Sequence, residues 1–411
     1  MPRELGVWLG DDHVGVLAQS DDGAKSFAYL PDWLARADAR AISLSLPLQE
    51  SAFDDRITRA FFGGLLPEGE VRERLARSLG RSARNEFALL EIIGRECAGA
   101  LSIVPRGEAP LQNGRTANVA LDIDELAKIL GDLPRRPLHI GGETRLSLAG
   151  AQDKLALVVR DDAFELPSGG TPSTHILKTP IAGFEDSVLD ELFCLRLAER
   201  LALPVAPAKL LRIAGMDVLC VERFDRRRDV DGSLRRVHQE DICQALGIPA
   251  DLKYQGEGGP GFPRLFQVLR EHAQRPAADV LALLRAAVFV YVIGNGDAHA
   301  KNFALLHHAH GCALAPLYDQ LCTTVYPSLS TSLAMRIGSA RRFDEVDAAA
   351  FARFAKDCGI GVSLVRSNLE LMASRLPSAI DEVLAAEPAL AASRVVADLV
   401  RGARERIDRV T

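Results

Sequence analysis

Hydrophobic and polar positions change period several times along the chain, and each change marks an element. GVWLG and VGVLAQ, on either side of the Asp11-Asp12 pair, read as two short strands joined by a tight turn, and FAYL reads as a third. ITRAFFGGLLPEGEVRERLARSLG (57–80) then takes a helical period, and NEFALLEIIGREC (85–97) continues it. PRGEAPLQNGRTAN (105–118) is polar and rich in Gly and Pro, the composition of a linker, and LDIDELAKIL after it predicts a short helix.

From about residue 144 the pattern is different. KLALVVR (154–160) alternates, with Leu155, Leu157 and Val159 on one face, and THILK (174–178) is a second strand. AKLLRIAGMDVLCVERFD (208–225) predicts a hairpin turning at AGMD. Between them, SVLDELFCLRLAERL predicts a helix opening on Ser187, with Asp190 at the capping-box position. Beyond about 235 the chain reads as helical, interrupted by KYQGEGGPGF and by a strand pair near 303–317. A small strand-rich unit followed by a larger helical one predicts an α+β protein of two lobes with a cleft.

Composition adds limits. The chain has 411 residues, 48% hydrophobic and 25% charged, enough for two or three domains with a buried core. A net charge of −6 argues against broad electrostatic attachment to nucleic acid or anionic lipid, although a local basic patch stays open. Seven scattered cysteines without a CxxC pair predict reduced, buried thiols. The N-terminus has no apolar signal core, and the longest apolar run, near 286–294, is short for a membrane span. The expectation is a cytoplasmic protein with no membrane partner.

The chemistry concentrates in IGNGDAHAKN (293–302), polar residues set between apolar runs. Asp297 and Asn302 are spaced D-x-x-x-x-N. A short strand pair then leads to Tyr318 and Asp319. A carboxylate beside an attacking hydroxyl, an amide and a second carboxylate as oxygen ligands for Mg²⁺ form the polar layout of phosphoryl transfer. The plain alternative is a set of turn and capping residues. A zinc site built from His299, His307, His308 and His310 is a rival, weakened by the lack of cysteines at ligand spacing.

A nucleotide site should lie upstream. Lys178 shares a strand face with Ile176, and Glu191 lies on the apolar face of its helix, where a lone acid would be costly. Paired, they would make the ion pair that positions nucleotide phosphates. Unpaired, they are a surface lysine and a flanking acid. LSLAGAQDK (146–154) offers small residues whose backbone could approach phosphates, or an ordinary turn. Residues 222–224 end a strand as a hinge would. Loop, lysine, acid, hinge, D-x4-N and final Asp follow one another in the order found in kinases.

As a set, FFGGLLPEG, GRECAGALS, LSLAGAQDK, THILKTP, VERFDR, HQEDICQALG, KYQGEGGPG, NGDAHAKNF and LYDQL resemble the HipA family of bacterial serine/threonine kinase toxins, over residues 5–375 or so. The resemblance implies a two-lobed protein-kinase-like fold with an extra N-terminal α/β subdomain. The division would be 1–105 for that subdomain, 106–120 for the linker, 121–225 for the smaller lobe with the nucleotide loop, and 226–411 for the helical lobe. It implies ATP and Mg²⁺ as cofactors and Asp297 as catalytic base. Asn302 and Asp319 would bind the metal. The ATP site would take in Ala149, Gly150, Ala151, Gln152, Asp153 and Lys154 of the loop, Lys178, the hinge residues Glu222, Arg223 and Phe224, and His299, Lys301, Asn302, Tyr318 and Asp319, with Glu191 as supporting ion-pair partner. Ser147 falls where family members autophosphorylate, and a phosphate there should expel the loop. The implied partners are a HipB-like helix-turn-helix antitoxin, operator DNA reached through the antitoxin complex, and a protein substrate such as an aminoacyl-tRNA synthetase. The sequence departs mildly, with Asn295-Gly296 before the Asp and Ala298 after it.

Two other readings stay open on the residues. A small-molecule phosphotransferase would need a compact acceptor pocket in the helical lobe. A catalytically idle corepressor scaffold would need a damaged active-site set, and no member is missing here.

Overall fold

The strand pair expected at the N-terminus forms: β1 (Arg3–Leu9) and β2 (Asp12–Gln19) are antiparallel and turn at Gly10, whose φ of 63° favours glycine. The structure, a computed structural model, describes residues 3–110, 118–135, 152–168, 170–230 and 232–411. Ser147, Ala149, Gly150 and Ala151 therefore lie outside the described residues, as does the middle of the 105–118 linker. The chain divides into two compact units: residues 1–179, 212–216 and 220–251, and residues 180–211, 217–219 and 252–411.

In the first unit, β3 (Lys25–Tyr29) pairs with β2 and β4 (Leu101–Pro105) with β1, giving the order β3-β2-β1-β4. Against this sheet pack α1 (Pro31–Leu34), α2 (Asp55–Gly63), α3 (Gly69–Ser78) and α4 (Glu86–Ile93). The helical stretch expected over 57–80 is two helices, broken at Pro67 and at Gly69, which sits at φ 51°. Asp54 and Asn85 cap α2 and α4 by accepting from the Ile57 and Ala88 amides. Leu5, Val7, Phe27, Phe61, Phe62 and Phe87 are sealed in the resulting core.

After β5 (Val119–Leu121) and the capping-boxed α5 (Ile123–Asp132), β6 (Lys154–Arg160), β7 (Ala163–Leu166) and β8 (His175–Lys178) join β5 antiparallel, in the order β5-β7-β6-β8, as four strands of a six-stranded sheet. β6 is buried at all five positions from Leu155 to Val159, not on alternate ones. Its apolar run is continuous, and that is the pattern of a strand covered on both faces. α6 (Ser187–Arg200), next in sequence, belongs to the second unit. The hairpin of β9 (Ala208–Ile213) and β10 (Met216–Glu222) turns at Ala214 and Gly215, both at positive φ, as expected. β11 (Arg226–Arg228), β12 (Leu234–Arg236), β13 (Gln239–Asp241) and α7 (Ile242–Leu246) complete the first unit.

The second unit is mostly helical. α8 (Phe262–His272) leads to α9 (Pro276–Ile293), then to the hairpin of β14 (Ala304–His308) and β15 (Gly311–Leu314). A second hairpin, β16 (Ser332–Ile337) and β17 (Ala340–Arg342), lies in a stretch expected to be helical. α10 (Ala348–Asp357), α11 (Val362–Ala386), α12 (Pro388–Ala392) and α13 (Arg394–Val410) end the chain. By length and composition α9 is apolar enough to cross a membrane, but it is buried along Leu283–Ile293 between α8, α11 and α13 as a core helix would be. The α+β class expected from the sequence is the class observed. All seven cysteines are free and buried.

One feature of the first unit is costly to build. Arg223, Arg226 and Arg236 share a buried cluster with Glu96 and Asp225. Arg223 chelates the two oxygens of Asp225 at 2.9 and 2.8 Å, Arg226 donates to Glu96 at 2.7 Å, and Arg236 to the Ser102 hydroxyl at 2.8 Å. Burial alone would raise both carboxyls, yet the arginine charges override it and hold both below the ordinary range. Asp225→Ala strands two buried guanidinium groups, and we expect it to lower stability by about 3–5 kcal/mol in urea denaturation.

Candidate functional site

α9 is buried on every side over its last three turns, so the polar stretch after it starts from a fixed point. Gly294 ends the helix at φ 77°, and a Cβ there would lie 2.4 Å from Thr324 Oγ1, so only glycine fits. Asn295 Oδ1 accepts from the Asp297 amide at 3.0 Å, an Asx turn that aims the next residues. The His299 amide donates to Asp297 O at 2.7 Å, and a 3-10 turn over Ala300–Asn302 closes the loop.

Asp297 and Asn302 are brought together. Asn302 Nδ2 donates to the main-chain oxygen of Asp297 at 2.9 Å, which turns Oδ1 of the amide the other way as an acceptor. The Asp297 side chain remains 44% exposed, while His299, Lys301 and Asn302 are 4%, 6% and 7% exposed. A carboxylate standing open on an otherwise closed loop is placed to meet a ligand. The Tyr254 hydroxyl donates to Asp297 Oδ1, and its ring meets His299 edge to face at 5.1 Å.

Asp319 is tied to this loop from both sides. The Tyr318 hydroxyl donates to Lys301 O at 2.7 Å. Beyond it, the Thr323 and Thr324 amides donate to Gly294 O at 3.1 and 3.3 Å, and Thr323 Oγ1 accepts from Gly296 N at 2.7 Å. Asp319 itself has φ 50°, a left-handed position that a non-glycine residue adopts at a cost. The chemistry of the set suits a hard cation: the Asn302 carbonyl and the Asp319 carboxylate could offer it oxygen ligands from loops held by hydrogen bonds. Among the described residues no cluster of His, Cys, Asp and Glu of metal-binding form is found, the rival histidine set included.

Glu191 is buried on α6, and its neighbour Asp190 is wholly so. The helix starts differently from expectation: Asp186 is the N-cap, at φ 50°, and the Ser187 hydroxyl accepts from Ile181 N. Asp190 does not cap. Its Oδ1 accepts from the Cys322 amide at 2.8 Å, anchoring the segment that follows Asp319, and its Oδ2 has no hydrogen-bond partner among the described residues. Burial, with the Glu191 charge adding to it, pushes its carboxyl up to about 7.

The remaining expected residues lie in the first unit. Lys154 and Lys178 face each other as register partners of β6 and β8. Like charges directly opposite are destabilising unless anionic groups stand near them. Gln152 donates to Thr179 O at 2.9 Å and Asp153 meets Arg74 at 2.6 Å, pinning the end of the small-residue loop. Glu222 is exposed and Phe224 half-buried. Arg223 is committed elsewhere: its guanidinium belongs to the buried cluster and its amide donates to Thr174 O at 2.9 Å.

Sequence reading passed over Tyr254 and Thr323, gave Asp190 a capping role that it does not play, and named Asn295 only as a departure from the family pattern. Only Asn295 carried a signal, as an Asx residue two before the catalytic candidate.

An α+β fold with this loop defines a kinase-like protein. The model of the HipA-like C-terminal domain matches residues 146–386, and that of the HipA N-terminal domain residues 5–104. Y4mE of Sinorhizobium fredii, described only as a candidate kinase, is 45% identical over 93% of this chain and 92% of its own. The serine/threonine-protein kinase toxin HipA of Shewanella oneidensis is 34% identical over 94% of this chain and 90% of its own. A solved complex of Shewanella oneidensis HipA with HipB and its operator DNA matches at a TM-score of 0.87 and 30% identity, covering 99% of this chain and 97% of that one. The chain belongs to the HipA family.

A testable consequence concerns Asp190. A carboxyl raised in the folded state holds its proton more tightly than in the unfolded chain. Its contribution is full below about pH 4, the ordinary carboxyl value, and is lost as pH rises through about 7. Asp190→Asn should therefore gain thermal stability relative to the parent between pH 4 and 7, by up to a few kcal/mol. Melting curves across that range check it, and a parallel offset at all pH values refutes it.

Proposed function

We propose that this chain is an ATP- and Mg²⁺-dependent serine/threonine protein kinase and the toxin of a toxin–antitoxin pair. The observation that carries this reading is Asp297: a half-open carboxylate, aimed by the Asn295 turn and the Tyr254 hydroxyl, on the loop that also holds Asn302. Such a group can accept the proton of a substrate hydroxyl as it attacks. Tyr254 would hold the carboxylate in one rotamer, and the buried loop around it would limit water. Asn302 Oδ1 and Asp319 would hold Mg²⁺, which when bound neutralises charge on the phosphates. Lys154 and Lys178 would take the phosphates on the strand face, with the backbone of 222–224 as hinge for the base. Glu191 would act as ion-pair partner of Lys178. His299, Lys301 and Tyr318 would shape the loop.

Kinship with the HipA kinase toxin of Shewanella oneidensis, solved with HipB and operator DNA, supports the remaining parts. The partner would be a HipB-like helix-turn-helix antitoxin, with operator DNA reached through that complex. The target would be a translation component such as an aminoacyl-tRNA synthetase, in the cytoplasm, and phosphorylation of Ser147 would switch the kinase off.

The test is phosphopeptide mass spectrometry of purified protein incubated with ATP and Mg²⁺. Phosphate should appear on Ser147 in the parent and fall by about 10²–10⁴ in rate in Asp297→Asn, the range for loss of a general base. Undiminished labelling in that variant refutes the role given to Asp297. Expressed without its antitoxin, the parent should arrest growth and Asp319→Ala should not. Equal arrest by both would separate toxicity from phosphotransfer.

A further inference from the structure

The second unit holds a cavity of about 220 Å³ lined by arginines from two elements. Arg342 ends β17, and Arg406 and Arg409 come from α13. Thr324 and Thr331 add hydroxyl groups, and Asp344 and Glu405 are the acids at its wall. Three cations against two carboxylates leave the lining with one excess positive charge.

Arg406 makes this more than a charged surface. It is 8% exposed, and burial lowers its affinity for its proton, so its charge is held at a cost. Nε donates to Val292 O at 2.8 Å and Nη1 to Thr324 Oγ1 at 3.2 Å. Nη2 is buried without a hydrogen-bond acceptor among the described residues; the Cys322 thiol close by is a weak one. Gly402 lines the same cavity, and a Cβ there would stand 3.0 Å from Nη1 and 3.2 Å from Nη2. The missing side chain leaves Arg406 as part of the cavity wall. Arg409 donates to Phe343 O at 3.1 Å through one nitrogen, and Arg342 leans on exposed Asp344, so both keep donors for a ligand.

We propose that this cavity binds a phosphate dianion, free or as a monoester, through Arg342, Arg406 and Arg409, and that its occupation stiffens the Asp297 loop. Phosphate suits the donors, since planar guanidinium groups bind its oxygens in pairs. The coupling is mechanical. Arg406 holds the end of α9 through Val292 O and the segment after Asp319 through Thr324, and that segment holds Gly294. Fixing Arg406 therefore fixes the joint from which the loop departs. Binding here stands whether or not the chain transfers phosphoryl groups.

The test is the melting temperature of the full chain, with inorganic phosphate or O-phospho-L-serine titrated against sodium chloride at matched ionic strength. A saturable rise is expected in the parent, because a ligand bound only by the folded state stabilises it by mass action. Apparent affinity should fall about tenfold in Arg409→Gln, the loss of one charge-assisted hydrogen bond. It should fall also in Gly402→Ala, which keeps all three charges but crowds Arg406 Nη1 and narrows the cavity, and so serves as a second variant beside Arg409→Gln. Hydrogen exchange should slow at the amides of Gly296, Thr323 and Thr324 when phosphate is added. A response to inorganic phosphate alone names the free ion as occupant, and a response to both ligands names a phosphorylated side chain as well. No saturable shift, or equal shifts in parent and variants, overturns the proposal.

Discussion

The main-chain oxygen of Gly294 is the point on which the candidate site turns. It accepts from the Thr323 and Thr324 amides and from the Thr323 hydroxyl. Through these bonds the segment following Asp319 is locked to the residue from which the Asp297 loop departs. Two acidic side chains separated by 22 positions in sequence thereby become parts of one construction. The lock exists only because α9 terminates in a left-handed glycine against Thr324. Any side chain at 294 would push the two loops apart, and with them the oxygen ligands that a hard cation needs.

Much of this was legible in the sequence, and the boundary of legibility has physical causes. Local signals survived: the D-x4-N spacing, the hairpin at Ala214-Gly215, the strands of the N-terminal sheet and the helices with clean caps. What failed was long-range. Tyr254 reaches Asp297 across 43 positions, and nothing in KYQGEGGPG announces an aromatic hydroxyl aimed at a carboxylate. β16 reads as helix from sequence because Leu333, Ala334 and Met335 are consecutive apolar helix formers, and their burial in the strand leaves no period-two alternation to betray it. α6 is buried nearly all round over its first nine residues, so periodicity could not tell which of Asp190 and Glu191 faced what.

The two units bury charge in opposite ways, and the contrast has consequences. The Glu96–Arg226 cluster is satisfied: each carboxylate meets guanidinium groups and main-chain amides, and the cluster fastens β4, β11 and β12 around Gly99. Removing one member would be worse than never having built it. Asp190 is left without a cation and answers by holding its proton. A neutral acid can accept the Cys322 amide at little Coulombic cost, which lets α6 grip the segment after Asp319 without importing a charge beside the candidate site.

Charges that are satisfied at home have little left to offer a ligand, and this separates the candidate residues more sharply than motif order does. Arg223 sits in the expected hinge, yet its guanidinium and its amide are both engaged, so any role for 222–224 falls to the remaining backbone groups. Lys154 and Lys178 are a different case: register places them opposite each other on adjacent strands, where like charges oppose pairing unless anionic groups stand near them. A sequence that keeps two ammonium groups in register has a use for that charge density, and in the proposed kinase the nucleotide phosphates would be part of it.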